Sequence, residues 1–234
     1  MKKIRIALLD DGLASSQISI DCEHYEFCVV NNQVLNLVNN KAPIINHGAI
    51  CAKIITQDNP NIIELYSYII KEYSNNGCID DLLKCLYHTI SINADIIHLS
   101  VGSCSKKDYS RLKKVINSIT RRGIIVIAAI SNKNIITYPA SFSNVLGVSH
   151  NIRGMSCGIL YYKHSPIGVN VSVCSPRSIT DIYGKAILLP FCNSFAAALV
   201  TSNVLNMISK KQNYYTLDQI LNYYKKNAGI IYDC

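Results

Sequence analysis

Gly123-Ile124-Ile125-Val126-Ile127-Ala128-Ala129-Ile130 is an unbroken run of small and β-branched apolar residues that stops at Ser131-Asn132. A strand with one wet face alternates apolar with polar residues, whereas a strand covered on both faces reads as a continuous apolar run. This stretch therefore predicts a buried strand of a parallel sheet. Working outward toward the N-terminus, a basic amphipathic stretch from about Lys107 to Arg121 predicts a helix, and Ala94 to Ser100 predicts a strand that ends at Val101-Gly102-Ser103. Asp80 or Asp81 is expected to cap a helix that runs to about Ile92, and Ile62 to Ser67 reads as a strand. Before them, apolar residues at helical intervals after Asn46 predict a helix with His47 in its first turn. Asn31 to Ala42 reads as a polar connection, Tyr25 to Val30 as a strand, and Ile4 to Leu9 as a buried strand stopped by Asp10-Asp11-Gly12.

On the C-terminal side, Phe191-Cys192-Asn193-Ser194-Phe195-Ala196-Ala197-Ala198 leads into apolar residues at helical spacing, Leu199, Leu205 and Ile208. That pattern predicts a buried helix whose first turn carries Ser194. Repeated strand and helix units predict an α/β fold, a mainly parallel central sheet with helices on both faces, in one domain over residues 1–234. The ligand crevice of such a sheet lies at the carboxyl ends of its strands. Asp10, Ser100-Val101-Gly102 and Asn132 fall at those ends, and His47 and Ser194 fall at helix starts facing the same edge.

Composition narrows the function. The chain has 234 residues and a formal net charge of +8, but its lysines and arginines are dispersed. Lys106, Lys107, Arg111, Lys113 and Lys114 read as one solvated helix face, so no nucleic-acid partner is expected. The apolar start ends too early, at Asp10, for a signal peptide or a membrane span, and no other run reaches spanning length. A cytoplasmic protein is expected, and its ten cysteines are expected to be free thiols. Cys22, His24 and Cys28 lie close together without a second ligand pair at zinc spacing, and the segment from Lys133 to Tyr138 lacks the carboxylates of a calcium loop. No metal or cofactor is expected.

Leu8-Leu9-Asp10-Asp11-Gly12, Asn46-His47-Gly48, Leu99-Ser100-Val101-Gly102, Ala128-Ala129-Ile130-Ser131-Asn132, Tyr138-Pro139-Ala140 and Asn193-Ser194-Phe195-Ala196-Ala197 follow one another along nearly the whole chain. Together they resemble the successive motifs of subtilisin-like serine peptidases, the subtilases. The resemblance implies that Asp10 is the triad aspartate, His47 the base, Ser194 the nucleophile and Asn132 the side-chain donor of the oxyanion hole. It also implies that Ser100-Val101-Gly102 pairs with the substrate backbone and that Ser131 lies beside the pocket for the residue preceding the cut. The residue types suit those roles. A serine hydroxyl is a weak nucleophile at neutral pH and needs an imidazole to take its proton, and a carboxylate then fixes the tautomer and stabilises the imidazolium. Taken singly, each residue also has a structural reading: Asp10 as a turn residue, His47 as a helix-start histidine, Asn132 as a strand-ending amide and Ser194 as a helix cap.

Departures from the family pattern cluster at the nucleophile. Cys192-Asn193-Ser194 stands where the family usually has Gly-Thr-Ser, and Ala198 where it usually has proline. Cys51, four residues after His47, resembles the kexin-like branch, as does Asp10-Asp11-Gly12, yet lysines occupy positions where paired-basic specificity would need acids. The expected substrate is a peptide or protein, and the expected task is leader removal from a specific precursor by a compact intracellular enzyme without its own prodomain. Two alternatives stay open: a catalytically impaired, subtilase-like binding protein, and an acyl-transferring variant. The sequence leaves the oligomeric state open.

Overall fold

The computed structural model describes residues 3–37, 45–70, 77–151, 158–211 and 215–233. Among the described residues there are twelve strands: β1 (Ile4–Asp10), β2 (Glu23–Val30), β3 (Gln33–Leu37), β4 (Ile63–Ile69), β5 (Ile96–Leu99), β6 (Ile125–Ala129), β7 (Leu146–His150), β8 (Leu160–Tyr162), β9 (Val171–Val173), β10 (Ser178–Thr180), β11 (Ala186–Leu188) and β12 (Ile230–Tyr232). The same described residues hold five α-helices: α1 (His47–Thr56), α2 (Gly77–Ser91), α3 (Tyr109–Thr120), α4 (Asn193–Lys211) and α5 (Leu217–Asn227). Ten strands form one sheet in the order β12-β8-β9-β7-β6-β5-β1-β4-β2-β3, and β10 with β11 forms a separate hairpin. Pairing in the large sheet is parallel except for β2 with β3 and β8 with β9.

The continuous apolar runs are the strands at the centre. Along β1, Ile6 and Leu8 belong to one core cluster, which they share with α1 and α4, while Ala7 and Leu9 belong to a second, which they share with α2 and α3. Successive side chains of a strand point to opposite faces, so the same run feeds two helix layers. The expected α/β architecture, with a mainly parallel sheet covered on both faces, is the one observed.

Local departures have identifiable causes. The expected polar connection after Val30 contains β3, because Asn31 (φ 49°) and Asn32 (φ 66°) make a tight two-residue hairpin turn with both residues left-handed. Asparagine tolerates that conformation and its twist matches the flanking strands. Residues 38–42 of that expectation lie outside the described residues. Helix α2 begins at Gly77, ahead of the expected aspartate cap, and leaves Asp80 in its first turn. The basic helix opens with a single 3-10 turn over Lys106–Asp108 before α3 proper. Strands β7 to β12 are short and mostly lack a clear period. Helix α5 starts on a capping box, in which Thr216 and Gln219 exchange side-chain and backbone hydrogen bonds. Among the described residues, no helix is long and apolar enough to cross a membrane.

Candidate active site

Parallel strands β1, β5 and β6 end on one edge of the sheet, and α1 and α4 begin above it. Asp10 is the last residue of β1 and is buried. Its two carboxylate oxygens each lie 2.9 Å from Nδ1 of His47, the first residue of α1. The Asp11 amide donates to Oδ1 at 2.8 Å and the Ser100 hydroxyl donates to Oδ2. Burial works against the charge on Asp10, but His47, Ser100 and the Asp11 amide outweigh it and hold the carboxyl below its ordinary value. For His47 burial favours the neutral ring, yet contact with Asp10, and with Cys192 and Cys51, shifts it upward.

Asp11 serves the same helix from its other carboxylate position. Its Oδ1 accepts from the Gly48 amide at 2.7 Å and its Oδ2 from the His47 amide at 3.2 Å, which satisfies two of the free N–H groups at the start of α1. The approach is close: a Cβ on Gly48 would lie 2.4 Å from the Gly12 carbonyl oxygen. Only glycine lets α1 begin against the β1 turn. Below the imidazole, Cys51 Sγ is 3.9 Å from Nδ1. Burial pushes this thiol up, so it stays protonated and packs as a small apolar group. Among the described residues, Asp10, His47 and Cys51 are the group of potential metal ligands whose atoms come together, whereas His24 Nδ1 is hydrogen-bonded to the Cys22 carbonyl.

At the head of α4, Asn193 is buried and its side chain acts as a latch. Its Oδ1 accepts from the His150 amide at 2.7 Å, and its Nδ2 donates to the carbonyls of Ile130 at 3.3 Å and Ser131 at 3.0 Å. The Asn193 amide donates to Asn132 Oδ1 at 3.0 Å, which turns Asn132 Nδ2 toward the site. That Nδ2 lies 3.9 Å from Cys192 Sγ, and the same sulfur lies 3.7 Å from His47 Nε2. Ser194, expected from its motif to meet the base, is buried at the second position of α4 and interacts with the Cys192 thiol, with no hydrogen bond to His47. Burial pushes the Cys192 thiol up, but His47, the Phe195 amide and the Ser194 hydroxyl and amide pull it down further, to about 7. Phe195 stacks on the imidazole with ring centroids 5.0 Å apart.

Asp10, His47, Asn132 and the head of α4 thus converge as the sequence predicts. The remaining candidates, Ser100-Val101-Gly102 and Ser131, lie just beyond the ends of β5 and β6. β5 ends at Leu99, and residues 100–102 continue as irregular chain, with Ser100 spent on Asp10 and on the Leu9 carbonyl at 3.2 Å. The next residue, Ser103, pairs with Tyr138 in an isolated antiparallel bridge. Ser131 is half-buried, and its hydroxyl accepts from the Lys133 amide at 3.2 Å. Sequence reasoning missed the contact between Cys192 and the base. Its signal was the replacement of the family glycine by a residue with a side chain. It missed His98 as well, a wholly buried β5 residue whose Nδ1 lies 2.9 Å from Thr201 Oγ1 and whose Nε2 has no partner; burial lowers it to about 4.

Comparison with known proteins agrees with this architecture. The model of the family described as "Subtilase family" matches residues 1–181. The chain belongs to the subtilase family. The match ends before α4. This subtilase is 23% identical over 168 residues to M-protease of Shouchella clausii (strain KSM-K16) and to Subtilisin Savinase of Lederbergia lenta. Each alignment covers 70% of this chain, with 43% of the first protein and 60% of the second, so the chain spans about half the length of these relatives. Among solved structures, a prenylagaramide maturation protease superposes with a TM-score of 0.64 at 19% identity, covering 96% of this chain and 82% of that one. A lanthipeptide protease superposes with a TM-score of 0.67 at 14% identity, covering 95% and 80%.

Proposed function

We propose that this subtilase is an endopeptidase that processes a specific peptide or protein precursor by removing its leader. The observation that carries the reading is the Asp10–His47 pair, with Nδ1 held by a buried carboxylate and Nε2 aimed at the head of α4. In this reading Nε2 takes the proton of Ser194, the nucleophile that the motif places on α4, and later gives it to the leaving amine. Asp10 stabilises the imidazolium formed in between. Asn132 Nδ2, 3.9 Å from Cys192 Sγ at the same edge, is the donor for the oxygen that becomes negative when the carbonyl is attacked. Precursor processing is favoured over bulk digestion because the similar solved structures include a maturation protease and a lanthipeptide protease.

The test is mass spectrometry of candidate precursor peptides encoded beside this chain, incubated with the wild type and with His47→Ala. Cleavage at one defined bond by the wild type, lost in His47→Ala, is the expected result. Equal cleavage by both proteins, or none by the wild type, refutes the reading.

A further inference from the structure

The side chain of Thr137 lies between the two segments that leave the sheet after β5 and β6. The chain departs from β6 through Ser131 and Asn132 and comes back at Tyr138, which meets Ser103 in the antiparallel bridge. Two backbone hydrogen bonds close that bridge, from the Ser103 amide to the Tyr138 carbonyl at 2.8 Å and from the Tyr138 amide to the Ser103 carbonyl at 2.7 Å. Thr137 stands just inside it. Its Oγ1 accepts from the Ser131 amide at 2.9 Å, donates to the Ile135 carbonyl at 2.9 Å and lies 3.8 Å from Cys104 Sγ. Its methyl faces the opposite segment: a Cβ built on Gly102 would lie 3.0 Å from Thr137 Cγ2 and 2.6 Å from the Tyr138 carbonyl oxygen. One side chain thus fills the space between the two segments. Thr137 is 4% exposed, whereas Gly102, Asn132 and Ile135 around it are exposed. Water does not reach the threonine, so the recess between the segments ends above it.

We infer that Thr137 closes the recess that receives the residue preceding the cut, and that the enzyme therefore selects glycine or alanine at that position. The inference rests on the peptidase reading and adds the class of bond that is cleaved. In that reading the substrate backbone runs along Ser100-Val101-Gly102, and the attacked carbonyl points to Asn132 Nδ2. The side chain next to that carbonyl then projects between residues 100–102 and 131–137, directly onto the threonine.

The recess has little room to give way. Its two sides are tied to each other by the Ser103–Tyr138 bridge, and the Thr137 hydroxyl ties the floor to Ser131. A branched or long side chain enters only if those bonds yield, and close-packed groups held in this way resist added volume. Misfit by a single methylene in a shaped pocket changes kcat/KM by about 10- to 200-fold. Glycine and alanine bring at most one carbon beyond the backbone.

Random decapeptides, with the cleaved bonds read by mass spectrometry, supply the first arm of the test: the wild type is expected to cut after glycine and alanine. A second arm measures kcat/KM on peptides that differ only in the residue before that bond, and the value is expected to fall at least about a hundred-fold from alanine to valine, and further to leucine. Two variants separate filling from bonding. Thr137→Ser keeps the hydroxyl with both its hydrogen bonds and removes only the methyl, so in a protein of unchanged melting temperature the valine-to-alanine ratio of kcat/KM is expected to rise tenfold or more. Thr137→Val keeps the volume and removes the bonds, so it is expected to melt lower and to retain the wild-type order of preference. A threonine that merely staples the loop would behave in the opposite way. Cleavage after leucine or phenylalanine as fast as after alanine, or a ratio unmoved in folded Thr137→Ser, overturns the inference and leaves the peptidase reading standing. Failure of the wild type to cut any peptide refutes the peptidase reading, and this inference with it.

Discussion

Replacing Asp10 with asparagine tests the base without altering its shape. The carboxylate lies 2.9 Å from Nδ1 through both oxygens, and its remaining capacity is taken up by the Asp11 amide and the Ser100 hydroxyl. An asparagine side chain can keep the bond from Asp11 and turn its NH2 toward Ser100, whose hydroxyl can reverse to accept it. The buried polar atoms therefore stay satisfied and the melt should change little. What disappears is the negative charge beside the imidazolium. Two unit charges about 4 Å apart at an effective dielectric near 20 interact by about 4 kcal/mol. At about 1.4 kcal/mol per tenfold in rate, that amounts to about a thousand-fold in kcat. If the amide instead turns its NH2 to Nδ1, it fixes the wrong tautomer, and the loss approaches about ten thousand-fold. The assay is steady-state cleavage of the precursor beside a thermal melt. A kcat within tenfold of the wild type, in a folded Asp10→Asn protein, would refute the role of this pair.

Asn132→Ala should lower kcat about a hundred- to a thousand-fold and leave KM nearly unchanged, measured on the same peptide, because its amide faces an oxygen that is charged only in the transition state. His98 gives a stability prediction with a definite sign. Its folded value near 4 lies below the ordinary value of 6.5, so the neutral ring stabilises the fold above about pH 6.5, and that contribution is lost as pH falls toward 4. The loss is about 3 kcal/mol, and denaturant titrations across that window should show a flatter pH dependence in His98→Gln than in the wild type. Lys106, Lys107 and Lys133 are exposed along the segments that follow Ser103 and Asn132, so peptides with acidic residues flanking the cut should be preferred, with a preference that weakens as salt rises. Best cleavage at paired basic residues, indifferent to salt, would contradict it.

The legible parts of the sequence were those with strong period or chemistry. Ile125–Ala129 and Ile4–Asp10 announce themselves because both faces of each strand are buried, and the polar residues that end them mark the crevice. β9 and β12 are three residues long, too short for any period to show. The hairpin after Val30 depended on two asparagines adopting positive φ, a conformation that loops and turns share. Motif order placed His47 opposite Asp10, but motif order describes which residues are present and not which rotamer reaches the base. The contact of Cys192 with the base therefore came into view only with coordinates.

Asn193 carries one more consequence, in chemical ageing. An asparagine followed by a small residue loses ammonia when the next backbone nitrogen attacks its side-chain carbonyl, and the Asn193-Ser194 pair has that sequence. In the fold the attack is blocked, because the side-chain amide is held by His150, Ile130 and Ser131 while the Ser194 nitrogen lies in the first turn of α4. Deamidation at 193 therefore accumulates only while the head of that helix is unlatched. In a stored sample it works as a slow clock, recording how much of its time the catalytic edge spends open.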